Sequence, residues 1–236
     1  MIYIYLDGYE YNLGIFELIR SFFPNRELKN IKDLEDYSSG SLIYLSIYNS
    51  NSLNTFKCQF FVDNKLIAEN EEVLEDININ KNRNKTINIG VKKSIFKTLI
   101  KVCKTKHPWG VLTGIRPTKI VHDLIENKIE TEDILNILTK QYLLDKDKAT
   151  LILEIAGRQK QFLYPICNSK FSLYINIPFC PTRCKYCSFP TIPINKYNYL
   201  VNSYIDHLIY EIKEIRELAT NKNINTVYIG GGTPTS

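Results

Sequence analysis

The chain has 236 residues, 44% hydrophobic and 23% charged, ordinary values for a globular chain with room for a real core in one large or two ordinary domains. Its net charge of +5 is mild and spread along the sequence, which argues against a nucleic-acid surface, and no apolar run approaches the roughly 18 residues of a membrane span. Six cysteines, three clustered and three scattered, exclude the disulfide framework of a small secreted domain, and with no signal peptide before Asp7 they fit a reducing cytoplasm.

Ile2–Leu6 is a short strand-like run, and Tyr11–Phe23 reads as an amphipathic helix stopped by Pro24. Ser41–Tyr48, Thr55–Val62 and Lys65–Glu69 carry aromatic and β-branched residues in strand lengths, with Asp63-Asn64 as a hairpin turn. Residues 1–76 therefore read as a small, mainly antiparallel α+β domain, and Asn78–Lys85 as a loop rich in Asn and Lys. A helical segment, residues 77–168, follows. Gly90–Lys104 places Val91, Ile95, Leu99 and Val102 on one face. Pro117–Asn127 begins with proline at a favourable first-turn position. Thr131–Leu144 has Thr131 as its expected N-cap and Asp133 near the helix dipole. Lys146–Phe162 continues to Tyr164-Pro165, where proline disfavours helix at the preceding residue. Within this segment His107-Pro-Trp109, Arg116 and Lys119 are readable as ligand contacts. The simpler readings are a loop anchored by Trp109 and a solvated helix start.

Residues 169–236 hold the chemistry. Phe171–Ile177 is strand-like and runs into Cys180, Cys184 and Cys187, separated by three and then two residues. Three thiolates can hold three irons of a [4Fe–4S] cluster and leave the fourth iron open. A zinc site, or a ferredoxin-like site completed by a distant cysteine, uses the same donors. A long helix, about Tyr197–Ala219, carries Val201, Ile205, Leu208, Ile212, Ile215 and Ala219 as an apolar stripe. Asn221–Asn223 turns the chain into a second strand, Ile224–Ile229, and then Gly230-Gly-Gly-Thr-Pro-Thr-Ser236. Strand, loop, helix and strand make a βαβ unit with parallel strands. Loops after parallel strands share one rim, so the cysteine loop and the triple glycine are expected side by side. Cys58, Cys103 and Cys167 read as small buried hydrophobes.

On these residues, Phe171–Ser236 resembles the radical S-adenosylmethionine (SAM) superfamily, whose signature is Cys-x3-Cys-x2-Cys. Tyr-Ile-Asn-Ile-Pro-Phe-Cys180 and Gly-Gly-Gly-Thr-Pro-Thr235 look like the oxygen-independent coproporphyrinogen III oxidase group. His107-Pro-Trp-Gly-Val-Leu-Thr-Gly-Ile-Arg-Pro-Thr-Lys119 resembles the N-terminal region of the coproporphyrinogen dehydrogenase-like branch. The resemblance implies an α/β fold, the first βαβ unit of a partial TIM barrel, preceded by an α+β domain with a helical segment. It implies a [4Fe–4S] cluster on Cys180, Cys184 and Cys187, with SAM against Tyr174, Tyr186, Gly231, Gly232 and Thr233. It further implies reductive cleavage of SAM to a 5′-deoxyadenosyl radical, a porphyrinogen-like substrate undergoing oxidative decarboxylation, and a reduced flavodoxin or ferredoxin-type electron donor. Asn176 stands where the family usually has histidine, and Phe189 where true oxidases have a fourth cysteine, as in the haem-chaperone relatives. A haem chaperone and a radical SAM methyltransferase are the alternative readings. A single βαβ unit cannot close a barrel, so the sequence is expected to be a fragment of a longer protein.

Overall fold

A computed structural model describes residues 1–50, 53–75, 83–114, 116–164 and 167–236. The chain forms two compact units, Met1–Phe162 and Leu163–Ser236. The sequence boundary drawn near residue 76 and most of the loop read over Asn78–Lys85 lie outside the described residues, as do Ile115 and Pro165.

In the first unit, strands β1 (Ile2–Asp7), β2 (Leu28–Asn30), β3 (Ser41–Ser50), β4 (Leu53–Val62) and β5 (Lys65–Glu75) form a sheet in the order β2-β1-β3-β4-β5. The expected mainly antiparallel sheet is instead mixed. β1 pairs in parallel with both β2 and β3, while β3–β4 and β4–β5 are antiparallel. The cause is helix α1 (Leu13–Phe22), which returns the chain to a short parallel strand. Asn12 caps α1 through its side chain, which accepts from the Ile15 N–H at 3.1 Å. The β4–β5 turn falls on Asp63-Asn64, both at positive φ (47° and 64°), as a type I′ hairpin requires.

Period-two alternation puts Ile4, Ile43, Leu45, Phe56 and Cys58 on one buried face of this sheet. Helix α2 (Arg83–Cys103) covers that face over β4 and β5. Its buried hydroxyls satisfy sheet carbonyls: Ser94 Oγ donates to Phe56 O at 2.9 Å, and Thr98 Oγ1 to Cys58 O at 3.2 Å. Beside them Glu72 pairs with Lys97 at 2.6 Å and Lys93 at 3.3 Å. Helix α2 already includes Arg83–Lys85, which the sequence placed in a loop. Helices α3 (Thr118–Glu126), α4 (Thr131–Asn136, running into a π turn at Ile137–Gln141) and α5 (Lys146–Leu163) follow. Thr131 is not the N-cap. It is the first helical residue, and Glu130 occupies the cap without a side-chain bond.

In the second unit, β6 (Lys170–Ile177) and β9 (Asn223–Gly231) pair in parallel from Lys170↔Asn223 to Ile177↔Gly231. Between them lie the two-residue strands β7 (Phe179–Cys180) and β8 (Ile192–Pro193), a short helix α6 (Ile194–Tyr197), a 3-10 turn, and helix α7 (Val201–Leu218). The expected single helix from Tyr197 is thus broken at Asn198–Leu200. Val201, Ile205, Leu208, Ile212 and Ala219 of the apolar stripe are partly buried, and Ile215 is exposed. The molecule is a mixed α/β structure rich in parallel pairings.

Candidate functional site

The parallel pairing of β6 and β9 sends both strands out on one rim, and the two motifs meet there. Gly232 N–H donates to Ile177 O at 2.7 Å, and Thr233 N–H to Phe179 O at 2.8 Å. The glycine loop is therefore laced onto the backbone that leads into the cysteines. β7 is held on its other side by β8, with Phe179 opposite Ile192 and Ile192 N–H donating to Pro178 O at 2.8 Å. Cys180 is buried in this clasp. Thr233 Oγ1 donates to its sulfur at 3.5 Å.

The glycines are there for space. Gly231 has φ +106°, and a Cβ on it would overlap Asn176 Oδ1. A Cβ at Gly232 would lie 2.6 Å from Phe179 O and 2.9 Å from Cys180 Sγ. The absence of side chains at both positions lets the glycine loop close onto Asn176, Phe179 and Cys180.

The other two cysteines are displayed differently. Cys184 is exposed and Cys187 partly buried. They are joined by a tight turn in which Cys187 N–H donates to Cys184 O at 3.0 Å. Tyr186 lies between them, 90% exposed. Its hydrogen bond with Cys184, reinforced by the charges of Cys184 and Cys187, holds its phenol above the ordinary range. Tyr174 on β6 is exposed and stacks on Tyr228 of β9, ring centres 5.4 Å apart. The structure thus joins Cys180 to Gly232 and Thr233 and joins Cys184, Tyr186 and Cys187. Among the described residues no three His, Cys, Asp or Glu side chains are gathered closely enough to hold a metal ion. Three soft sulfur donors on one short loop, with a side-chain-free cradle at the first, nevertheless fit an iron–sulfur cluster and an adjoining small ligand.

One positioning residue escaped the sequence reading. Tyr204 on α7 donates its hydroxyl to Asn176 O at 2.6 Å and packs edge-on against Phe179, ring centres 5.4 Å apart. It ties the helix to the strand end below the cysteine loop. No local signal marks it, because its partners lie far back in sequence. Of the remaining cysteines, Cys58 is a buried hydrophobe as expected, its thiol pushed up to about 12 by burial. Cys103 is half-buried. Cys167 corrects the expectation: it is exposed, with its sulfur 2.9 Å from Ser169 Oγ.

Residues 174–236 match the model of the radical SAM superfamily, a domain that implies an iron–sulfur cluster, SAM, a small-molecule substrate and an electron donor. The oxygen-independent coproporphyrinogen-III oxidase-like protein HemZ of Bacillus subtilis is 41% identical over 133 residues, 54% of this chain and 26% of the relative. That match is longer than the second unit, so it extends into the first. The heme chaperone HemW of Buchnera aphidicola subsp. Acyrthosiphon pisum is 46% identical over 63 residues, 27% of this chain and 16% of the relative. The oxygen-independent coproporphyrinogen III oxidase of Mannheimia haemolytica is 38% identical over 64 residues, 27% of this chain and 43% of the relative. The chain spans about a quarter of the length of HemZ and less of HemW. No solved structure matches it. Among the described residues no helix is long and apolar enough to cross a membrane. Residues 174–236 thus match the radical SAM superfamily, and the chain is similar to oxygen-independent coproporphyrinogen III oxidase-like proteins.

Proposed function

We propose that Cys180, Cys184 and Cys187 hold a [4Fe–4S] cluster and that residues 169–236 are the opening βαβ unit of a radical SAM partial TIM barrel. The supporting observation is the contact of Cys180 with Gly232 and Thr233, which brings a thiol and a bare backbone to one point. When bound, cluster and SAM supply one-electron reductive cleavage and hydrogen-atom abstraction. The chain's own residues bind and orient. Gly231, Gly232 and Thr233 offer backbone groups to the methionine end of SAM. Tyr174 stands on the strand below and would flank bound SAM, and Tyr186, in the cysteine turn, would face its adenine. β7, β8 and Tyr204 hold Cys180 in place.

The reaction we propose is oxidative decarboxylation of a porphyrinogen-like substrate in the cytoplasm, supplied with electrons by a reduced flavodoxin or ferredoxin-type protein. A second reading, haem chaperone, is favoured by Phe189 in the place of a fourth cysteine and by the HemW relatives.

Anaerobic reconstitution of the chain with iron and sulfide is expected to load about four of each per molecule, with the broad visible absorption of a thiolate-bound cluster. Alanine at Cys180, Cys184 or Cys187 is expected to abolish that absorption. Full loading of Cys184→Ala, or zinc in place of iron and sulfide after anaerobic purification, sinks the assignment. Carbon dioxide release from coproporphyrinogen III then selects the oxidase, and stoichiometric haem transfer without it selects the chaperone.

A further inference from the structure

The first unit holds a cleft of about 490 Å³, within the size range of small-molecule sites. It lies between α1 and the loop that leads from α2 to α3, and its walls are largely apolar: Leu18, His107, Trp109 and Leu112. Burial lowers the proton affinity of His107, and its ring lies tilted against Phe22 with ring centres 3.8 Å apart. Gly114 also lines the cleft, and a Cβ there would meet nothing within 4 Å.

Glu17, Ser21 and Thr113 break this apolar lining. Thr113 lines the cleft, and Lys92 of α2 stands behind it, with Nζ donating to Thr113 Oγ1 at 3.2 Å. Among the described residues no carboxylate lies within ion-pair distance of this ammonium. It is packed under the first turn of α1, where a Cβ on Gly14 would fall 2.6 Å from Nζ. That turn adds its own positive partial charge. Burial accordingly lowers the proton affinity of Lys92, and Glu17 offsets this only from a distance. The Thr113 corner is thus a cleft-lining hydroxyl backed by one ammonium, with the Glu17 carboxylate on the wall beyond ion-pair distance. Thr113 accepts from the ammonium and keeps its own O–H to donate. Glu17 on the wall of the cleft penalises a ligand carrying a second negative charge.

We propose that this cleft binds an aromatic monocarboxylate, its ring against Trp109 and His107 and its carboxylate accepting from the Thr113 hydroxyl, which the Lys92 ammonium polarises from behind. An apolar cleft with one such backed hydroxyl at its end orients a ligand of this kind in a single way. The proposal concerns the first unit alone and goes beyond the SAM chemistry of the second.

Trp109 is the chain's one tryptophan, so its emission reports on this wall. The test titrates the 236-residue chain with 4-(trifluoromethyl)benzoate, following Trp109 emission and the fluorine resonance of the probe. A saturable change in both is expected. The neutral isostere 4-(trifluoromethyl)benzamide is expected to bind about tenfold more weakly, and Lys92→Met to weaken the benzoate by a similar factor. Gly14→Ala favours the helix but pushes the ammonium aside, and is expected to cost severalfold in affinity. Gly114→Leu fills the cleft and is expected to abolish binding at an unchanged circular dichroism spectrum. Should Lys92→Met not fold, the amide probe and Gly14→Ala decide. Equal affinity for benzoate and benzamide, or no saturable change in Trp109 emission, overturns the proposal. Neither iron nor SAM is in the assay, so its outcome is separate from that of the cluster assignment.

Discussion

Position 232 admits glycine because two hard neighbours flank it, the Phe179 carbonyl and the Cys180 sulfur. In Gly232→Ala one of them must move, and the sulfur is the freer, since the carbonyl is fixed by the Thr233 N–H. We expect this variant to keep its β6–β9 pairing and to lose about half or more of its reconstituted iron, read by iron assay and visible absorption. Full loading would show that Cys180 does not need the cradle. Glu72 makes a prediction of another kind. Burial raises its carboxyl, but hydrogen bonds from Lys97 and Asn70 and the charges of Lys93 and Lys97 outweigh this and leave it below its ordinary value. A carboxyl whose folded value is depressed stabilises the fold above its unfolded value of 4.5, and that contribution is lost as pH falls through the lower folded value. Urea titrations of the chain should therefore show stability falling below about pH 4.5, with Glu72→Gln flatter in this range. At neutral pH the same variant strands Lys93, whose side chain is 11% exposed, and should cost about 2–4 kcal/mol. An unchanged acid slope would mean that other carboxyls carry it.

Helix α2 shows how packing outvotes local preference. Its first residues are Asn- and Lys-rich, which is why the sequence suggested a loop, yet the structure carries the helix through them. Its inner face bears Gly90, Val91, Ser94, Ile95, Thr98 and Leu99, and burial of that face sustains it. Gly90 is the crossing point with β4: a Cβ there would overlap the ring of Phe56, which is fully buried. Alanine gains about 0.5–1 kcal/mol of helix propensity over glycine, but overpacking a closed core costs about 1–3 kcal/mol. We therefore expect Gly90→Ala to be net destabilising by about 1–2 kcal/mol in urea unfolding. A gain in stability would mean that the helix slides on the sheet. The legible elements were those set by neighbours in sequence: the α1 helix before Pro24, the Asp63-Asn64 hairpin, and the β6 strand. The illegible ones depend on distant partners. Leu28–Asn30 is three residues long and is a strand only because Ile2–Ile4 lies beside it. Thr131 had the chemistry of a cap but sits one position inside the helix.

Across the molecule, the two units differ in how much they bury. The first has fully buried side chains on sheet and helix alike, from Ile4 and Leu45 to Leu99, Leu138 and Ile152. In the second, Asn223–Ile229 are exposed along β9, with Ile224, Val227 and Ile229 each more than half exposed. β9 hydrogen-bonds β6 along one edge among the described residues. This explains why the candidate site was only partly legible. Spacing and strand order foretold that Cys180 would meet the glycines, since those depend on backbone pairing. Gathering of the three sulfurs would be a side-chain arrangement, and in the proposed reading the energy that fixes it would come from the bound cluster. The same asymmetry predicts local stability. Amides of β9 should exchange with deuterium at least about 100-fold faster than those of β4, because fewer apolar contacts oppose their opening. A ligand that binds only the folded site adds its binding free energy to the elements that hold it. Loading with iron and sulfide should therefore slow exchange across β6, the cysteine loop and the end of β9, and leave β3 and β4 unchanged. If loading slows β3 and β4 equally, the iron is not held by this loop. If it slows nothing, the bound iron is not coupled to the fold of the second unit.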